Sequence, residues 1–349
     1  MRFGETVNSL EEYIPFSYKP GMIRLDANES CLELPDEIKT QVLNAVNNVE
    51  FNRYPDPYCK ELRRYYAEYY GIDSENIVVG NGSDELISII FSSLVPVDAK
   101  TLTVTPDFSM YSFYATLYGR DNSQFIKDSD FNIDVDSFVN TINDGKYDFV
   151  MFSNPCNPTG QGLSRNDIIH IVENTNAVIC VDEAYMDFWD ENESVMKDVN
   201  TYENLLVLRT LSKAIGLASC RLGFAVANRN IISMFNKVKS PYNVNSVSQA
   251  IGCCILSSSD YLRLSAETLK KQTMELYNSI LNLKIKDAKV FNTKTNFVYI
   301  QVPYARRVFD KLKEKNIIIR CFGSDRLRIT AGTETENKIV LQALEEICS

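Results

Sequence analysis

Six short apolar runs, most of them separated by helical patterns, dominate the first two thirds of this 349-residue sequence. They are NIVV (76–79), TLTVT (101–105), YDFVMF (147–152), AVICV (177–181), NLLVL (204–208) and GFAVA (223–227). Continuous apolar strands bounded by helices are typical of a mainly parallel sheet that is covered on both faces. We therefore predict an α/β fold with a large unit built on a mixed, mainly parallel sheet.

The rest of the sequence predicts an N-terminal arm and a smaller C-terminal unit. Residues 1–30, which contain Pro15, Pro20 and Gly21, are predicted to form an extended arm, and residues 228–270 have a largely helical pattern. Strands are predicted near the C-terminus over 297–302, 317–320 and 326–330. We expect three parts: an arm over 1–34, a large domain over 35–240 and a small α/β domain over 241–349.

Charge and cysteine usage narrow the class of protein. The net charge of −10 argues against nucleic acid as a partner, because phosphate backbones require a basic face. No apolar stretch resembles a signal peptide or reaches the ~18 residues of a membrane span, so we expect neither. The nine cysteines are scattered without a CxxC pair, which indicates reduced thiols in a cytoplasmic protein and no zinc site.

The single histidine, His170, lies in a helical pattern that Ser164 would cap, with Asp167 three residues after the cap. This is a peripheral position for a catalytic base. The sequence therefore argues against histidine-based hydrolysis and against a metal held by histidines.

Five segments that follow predicted strands carry polar residues or residues of special geometry. Ligands of open α/β sheets bind beyond the carboxyl ends of the strands, so these segments form the candidate site. They are GNGSDE (80–85), TPDFSMY (105–111), SNPCNPTG (153–160), VDEAY (181–185) and RTLSK (209–213).

Two of these segments could hold an anion. GNGSDE precedes a helix, whose free N–H groups would suit a phosphate, although an ordinary turn would look the same. RTLSK supplies the hydroxyls of Thr210 and Ser212, and Arg221 follows it. Lys213 could be a surface residue, or a nucleophile in a pocket with little water.

The other segments are more ambiguous when each is taken alone. Asp182 could cap a helix or pair with a buried cationic nitrogen. The Asn154–Pro155 and Asn157–Pro158 pairs mark sharp turns in which either bond could be cis. Together the segments favour one ligand with a phosphate, a protonated ring nitrogen, a hydroxyl and an aldehyde, and pyridoxal 5′-phosphate has all four.

The order of the motifs resembles a known family. GNGSDE, NPCNPTG, VDEAY, TLSKAIGLASCRLGF and RLRITAGT together are similar to the fold-type I, pyridoxal-phosphate-dependent aminotransferases of class I/II. YKPGMIRLDANES and NRYPDP most resemble the histidinol-phosphate aminotransferases. The resemblance covers nearly the whole chain.

This resemblance implies roles for individual residues. Lys213 would bind the cofactor aldehyde as a Schiff base and move protons, and Asp182 would keep the pyridinium nitrogen protonated. Tyr185 and Asn157 would contact the ring hydroxyl oxygen, and Phe108 would stack on the ring where relatives often have tyrosine. The cofactor phosphate would be held by Ser83, Asp84, Thr210, Ser212, Arg221 and, from the neighbouring subunit of a homodimer, Tyr54.

The resemblance also implies a substrate site. Arg328 matches the arginine that grips a substrate α-carboxylate, whereas strand alternation places Arg326 on the same face and cannot choose between them. Arg320 and Tyr18 match positions that meet the substrate phosphate. The sequence departs from the family pattern where Asn28-Glu29-Ser30 runs into CLELP, and in the short loop between Arg320 and Arg328.

The implied activity is transamination between L-histidinol phosphate and 2-oxoglutarate, giving imidazole-acetol phosphate and L-glutamate in histidine biosynthesis. An aromatic amino acid aminotransferase is an alternative with the same fold. So is an enzyme that resembles the threonine-phosphate decarboxylases. A non-catalytic protein that binds pyridoxal phosphate is a further alternative, against which Lys213, Asp182 and Arg328 together argue.

Overall fold

The computed structural model describes residues 10, 12, 14 and 16–348, so part of the predicted arm lies outside the described residues. Its strands are β1 (Ile23–Arg24), β2 (Ile77–Asn81), β3 (Lys100–Thr105), β4 (Asp121–Ile126), β5 (Phe149–Ser153), β6 (Val178–Asp182), β7 (Leu205–Thr210), β8 (Leu222–Ala227), β9 (Lys289–Phe291), β10 (Phe297–Gln301), β11 (Ile317–Ile318), β12 (Arg320–Phe322) and β13 (Arg326–Thr330).

The α-helices are α1 (Asp36–Asn47), α2 (Lys60–Tyr70), α3 (Ser83–Ile89), α4 (Met110–Leu117), α5 (Val135–Gly145), α6 (Arg165–Glu173), α7 (Arg229–Val238), α8 (Ser246–Leu256), α9 (Ser259–Asn282), α10 (Ala305–Glu314) and α11 (Glu334–Cys348). A π-helix, Ile90–Leu94, continues α3. None of the helices in the described part of the chain has the length and apolar character needed to cross a membrane.

The large sheet has the order β2-β8-β7-β6-β5-β3-β4. Strand β8 is antiparallel to both neighbours and the remaining pairs are parallel, which confirms the predicted mixed, mainly parallel sheet. Successive residues of β5 pack into different apolar clusters: Val150 and Phe152 on one face, Phe149 and Met151 on the other. Burial on both faces explains why these strands read as continuous apolar runs.

Three strands have no apolar run and were not predicted. The edge strand β4 has a mostly polar sequence, DNSQFI, and only one neighbour, β3. Strands β1 and β9 are two and three residues long. The predicted strand over 317–320 is divided, because β11 pairs with β1 and β12 pairs with β13.

A second sheet of order β12-β13-β10-β9 has its own apolar cluster against α9, α10 and α11, which Leu25 of the arm joins. The division into 1–34, 35–240 and 241–349 stays a prediction. Val244, Ile255 and Leu262, which follow residue 240, pack in a cluster of the large sheet.

Helix α6 begins as predicted. Ser164 and Asp167 form a reciprocal capping box at its N-terminus. His170 lies on the exposed side of this helix, 3.5 Å from the carboxylate of Asp136. It does not line the cavity that is described in the next section.

Candidate active site

A cavity of about 540 Å³ lies at the carboxyl ends of β3, β5, β6 and β7 and is bounded on its other side by β10, β12 and β13. It brings together residues that are far apart in the sequence. The predicted site residues that line it are Ser83, Asp84, Phe108, Asn157, Asp182, Tyr185, Thr210, Ser212, Lys213, Arg221, Arg320 and Arg328.

Lys213 follows the end of β7 and reaches across the cavity. Its Nζ donates a hydrogen bond to the carbonyl oxygen of Ala27 at 3.1 Å. The same atom lies 5.8 Å from the centre of the Tyr185 ring. The amine is therefore held between the arm and the end of β6.

Arg221 anchors one end of the cavity. Its Nη2 donates to Asp84 Oδ2 at 3.0 Å, and a Cβ atom on Gly82 would lie 2.5 Å from that same Nη2. A side chain at position 82 would therefore displace the guanidinium from this position. The hydroxyl oxygens of Thr210 and Ser212 lie 2.9 Å apart at this end, where α3 also presents its first backbone N–H groups. Guanidinium, hydroxyl and N–H donors together suit a phosphate.

Asp182 ends β6 and is almost fully buried. Its carboxylate accepts hydrogen bonds from the Tyr111 hydroxyl at 2.7 Å and from the backbone N–H of Ala184 at 3.0 Å. Burial raises the pKa of Asp182 to about 6, against the opposing effect of these hydrogen bonds. Over residues 16–348, Asp182 forms no ion pair, so a cationic ring nitrogen would supply the charge that this buried carboxylate lacks.

Polar side chains from the arm, from the loops of the large sheet and from β13 are joined by hydrogen bonds at the cavity. Asn28 Nδ2 donates to the Tyr185 hydroxyl at 2.8 Å. Arg328 is 7% exposed, and its guanidinium donates to Asn157 Oδ1 and to the carbonyl oxygen of Asp26. The two Asn–Pro bonds of the 153–160 loop, for which the sequence left the isomer open, are both cis.

The face of the second sheet that borders the cavity is rich in arginine. In the strand register Arg328 lies directly opposite Arg320 on one side and Tyr299 on the other. Arg326, two residues before Arg328, also lines the cavity. The prediction that alternation places both β13 arginines on one face is confirmed, and both of them border the cavity.

Two predicted residues do not line the cavity. The Tyr18 hydroxyl lies 2.9 Å from each carboxylate oxygen of Asp26, which does line it. Tyr54 is 81% exposed and stacks on Tyr242, with 4.6 Å between the ring centres.

Sequence reasoning missed several groups that shape the site. Tyr111 donates to Asp182, and Asn28 donates to Tyr185. Asp107 accepts hydrogen bonds from the backbone N–H groups of Phe108 and Ser153 at 2.7 and 3.0 Å. Tyr111 and Asp107 both lie in TPDFSMY, so their position after a strand was an available signal.

Comparison with known proteins gives a consistent result. The sequence profile of the family described as "Aminotransferase class I and II" matches residues 20–344. Histidinol-phosphate aminotransferase of Clostridium novyi is 42% identical over 93% of this chain and 91% of its own length. The Clostridium kluyveri enzyme of the same name is 40% identical over 97% of both chains.

A solved structure has the same fold. Histidinol-phosphate aminotransferase from Sinorhizobium meliloti, crystallised in complex with pyridoxal 5′-phosphate, superposes with a TM-score of 0.89. Its sequence is 21% identical, and the match covers 99% of this chain and 97% of that one.

Proposed function

Because this chain belongs to the class I and II aminotransferases, we propose that it transfers an amino group between L-histidinol phosphate and 2-oxoglutarate with pyridoxal 5′-phosphate as its cofactor. One observation supports this most strongly. A single cavity holds the amine of Lys213, the buried carboxylate of Asp182 and the guanidinium of Arg328.

The cofactor matches the donors of the cavity. Asp182 would pair with its ring nitrogen, and Arg221, Ser83, Thr210 and Ser212 would hold its phosphate. Asp84 would contribute its backbone N–H, since its carboxylate is paired with Arg221. When bound, pyridoxal 5′-phosphate supplies an electron sink and a carbonyl group that exchanges amino groups.

The residues of the chain then have distinct tasks. The Lys213 amine moves a proton at the substrate Cα, a role that requires it to lie within reach of that carbon. The Tyr185 hydroxyl, which accepts a hydrogen bond from Asn28, and the amide of Asn157 would contact the ring hydroxyl oxygen. Phe108 would pack against the ring face. The carboxylate of Asp182 would keep its charge by pairing with the ring nitrogen.

We assign substrate selection to the face of the second sheet that carries Arg320, Arg326 and Arg328, which we call the arginine face. L-Histidinol phosphate is an amine that carries a phosphate and no carboxylate, and Arg320 with Arg328 would hold that dianion. Tyr18 would close the site from the arm. In the other half-reaction, Arg328 would hold the α-carboxylate of glutamate. The Clostridium relatives, both named histidinol-phosphate aminotransferase, support this substrate over an aromatic amino acid.

We also propose a cytoplasmic homodimer in which Tyr54 reaches the cofactor phosphate of the partner subunit. Tyr54 is exposed, and neighbouring large side chains are exposed with it: Phe51, Tyr58 and Tyr242. A group of exposed aromatic side chains is typical of a protein interface. The nine cysteines include no disulfide, which supports a reducing compartment.

The visible absorption of the cofactor tests the function directly. We expect the purified protein to bind pyridoxal 5′-phosphate through Lys213 and to lose this absorption when L-histidinol phosphate is added. Adding 2-oxoglutarate should restore it, and Lys213→Ala should show neither change. A response to phenylalanine or tyrosine but not to histidinol phosphate would contradict the substrate. A protein that binds no cofactor would contradict the whole proposal.

A further inference from the structure

Arg326 borders the cavity but has no task in holding the cofactor, the phosphate or the α-carboxylate. We propose that Arg326 and the Tyr299 hydroxyl form a subsite for the distal carboxylate of a five-carbon dicarboxylate, the amino donor glutamate and its acceptor 2-oxoglutarate. This inference rests on the proposed transamination and identifies how the second substrate would be told apart from monocarboxylic amino acids.

The strand register supplies the spacing. Arg326 and Arg328 are two residues apart on β13, so their Cα atoms are separated by about 6.5 Å on the same face of the sheet. The two carboxyl carbons of an extended five-carbon dicarboxylate are joined by four carbon–carbon bonds and lie about 5 Å apart. Two guanidinium groups at this spacing can each bind one end of such a molecule.

Arg326 and Arg328 have different neighbours on the adjacent strands, so the two ends of the arginine face differ in charge. Arg328 lies opposite Arg320, so this row concentrates positive charge for the phosphate. Arg326 lies opposite Phe322 on β12 and Gln301 on β10. The second row thus has one cation beside an apolar ring, which suits the single charge of a carboxylate at the end of a methylene chain.

Tyr299 lies opposite Arg328 in the register, but its ring packs on Phe131, the same ring that the Arg326 guanidinium faces, and its side chain borders the cavity and is 1% exposed. Among the described residues, its hydroxyl has no hydrogen-bond partner. A buried hydroxyl without a partner destabilises a protein, and an acceptor on a ligand removes that cost. Burial raises the pKa of Tyr299 to about 12 although the nearby Arg326 lowers it, so the hydroxyl is a donor at neutral pH.

The surroundings of Arg326 hold its stem and leave its end for a ligand. Its Nε lies 3.4 Å from Asp325 Oδ1, and its guanidinium carbon lies 5.5 Å from the centre of the Phe131 ring. Asp325 also accepts a hydrogen bond from Gln301 at 3.2 Å. Within the part of the chain that the structure describes, Asp325 is the only acidic residue that forms an ion pair with Arg326, and the contact is made through Nε.

Binding of two non-reacting ligands tests the subsite. Glutarate has both carboxylates, and pentanoate has the same chain length with only one. Calorimetric titration of the protein loaded with pyridoxal 5′-phosphate should show tighter binding of glutarate. Arg326→Ala should weaken glutarate about 10- to 100-fold and pentanoate less than about threefold. Arg263→Ala, which removes an exposed arginine of α9, is the matched control and should change neither.

Two further variants keep the test decisive if Arg326→Ala folds poorly. Arg326→Gln keeps most of the stem and should also remove the preference for glutarate. Tyr299→Phe removes only the hydroxyl and should weaken glutarate about three- to tenfold without changing pentanoate.

Other outcomes would overturn the subsite. These are equal losses for the two ligands, a preference for glutarate that survives in both Arg326 variants, or an equal loss of affinity for inorganic phosphate. The titrations need no turnover. If histidinol phosphate proves not to be a substrate, a preference for glutarate that depends on Arg326 would still support the subsite.

Discussion

Arg320 and Arg328 lie directly opposite each other on the antiparallel strands β12 and β13, and both border the cavity. Like charges in directly opposed positions of a sheet destabilise it, and an anion bound between them offsets that repulsion. The pair is therefore suited to a dianion such as a phosphate monoester. Arg328 is the more buried of the two and is fixed by Asn157 and by the carbonyl of Asp26.

Replacing Arg320 should separate the two half-reactions. We expect Arg320→Ala to lower the rate of the half-reaction with histidinol phosphate about 10- to 100-fold, because a charged hydrogen bond to the phosphate is lost. The half-reaction with glutamate should change less than about threefold, since Arg328 holds the α-carboxylate. Single-turnover absorbance measurements with each substrate give both rates.

Arg328→Ala provides the contrast for that experiment and should impair both half-reactions. Arg306→Ala removes an exposed arginine of α10 and should affect neither. Equal losses for both substrates in Arg320→Ala would refute the assignment of Arg320 to the phosphate.

The carboxyl group of Asp182 should make the cofactor-free protein less stable as the pH rises. Its pKa is about 6 when folded and near 4 when unfolded, so the folded state holds a proton that the unfolded state has released. Stability is therefore lost as the pH rises from about 4 through 6. Asp182→Asn removes this loss. The free energy of unfolding of Asp182→Asn minus that of the wild type should therefore be larger at pH 7.5 than at pH 5, and the contribution of the Asp182 pKa shift to it should approach ~3 kcal/mol.

Chemical denaturation of both proteins at several pH values measures this difference. Pyridoxal 5′-phosphate should remove the Asp182 contribution to the pH dependence in the wild type, because a cationic ring nitrogen favours the ionised carboxylate. A constant difference between Asp182→Asn and the wild type from pH 5 to 7.5 would show that Asp182 is ionised throughout.

Gly82 should matter for the cofactor phosphate specifically. In Gly82→Ala the new Cβ meets the Arg221 guanidinium, and the residue also has φ of +81°. We expect weaker binding of pyridoxal 5′-phosphate, by about tenfold, and little change for pyridoxal, which has no phosphate. Gly21→Ala is the matched control, because Gly21 has φ of +84° and no neighbouring atom lies within 4 Å of the place that its Cβ would take. Equal losses for the two ligands would argue against the phosphate assignment.

The sequence was most informative where both faces of a strand are buried. The six apolar strands of the large sheet were predicted from their apolar runs. Helix α1 was predicted from its helical pattern, and the cap of α6 from the spacing of Ser164 and Asp167. Strand β4 could not be predicted in this way, because an edge strand with exposed, polar residues has no apolar run. Strand β1 is defined by pairing with β11, almost 300 positions later, and no local pattern records such a contact.

The site was predictable where one residue acts from the end of a strand. Lys213 and Asp182 were selected in this way, Arg221 was selected because it follows Lys213 by eight residues, and all three line one cavity. Contacts between distant segments were not predictable, such as the hydrogen bond from Asn28 to Tyr185. Alternation placed Arg326 and Arg328 on one face but assigned no separate tasks, since that distinction depends on the strands opposite them.

Mixed dimers test whether Tyr54 acts across a subunit interface. Tyr54 does not line the cavity of its own chain, although Lys213 does. Tyr54→Ala and Lys213→Ala should each be impaired alone, the first by weaker retention of the cofactor. A mixed dimer of the two has one cavity with Lys213 from one subunit and Tyr54 from the other. Mixing the two variants after reversible dissociation should therefore restore up to half of the wild-type activity per mixed dimer.

The control mixes Lys213→Ala with Tyr118→Ala, a variant that leaves Tyr54 intact. Any change of activity that subunit exchange causes by itself is measured in this control. If Tyr54 acted within its own chain, neither cavity of the mixed dimer would be complete, and mixing Tyr54→Ala with Lys213→Ala would restore nothing.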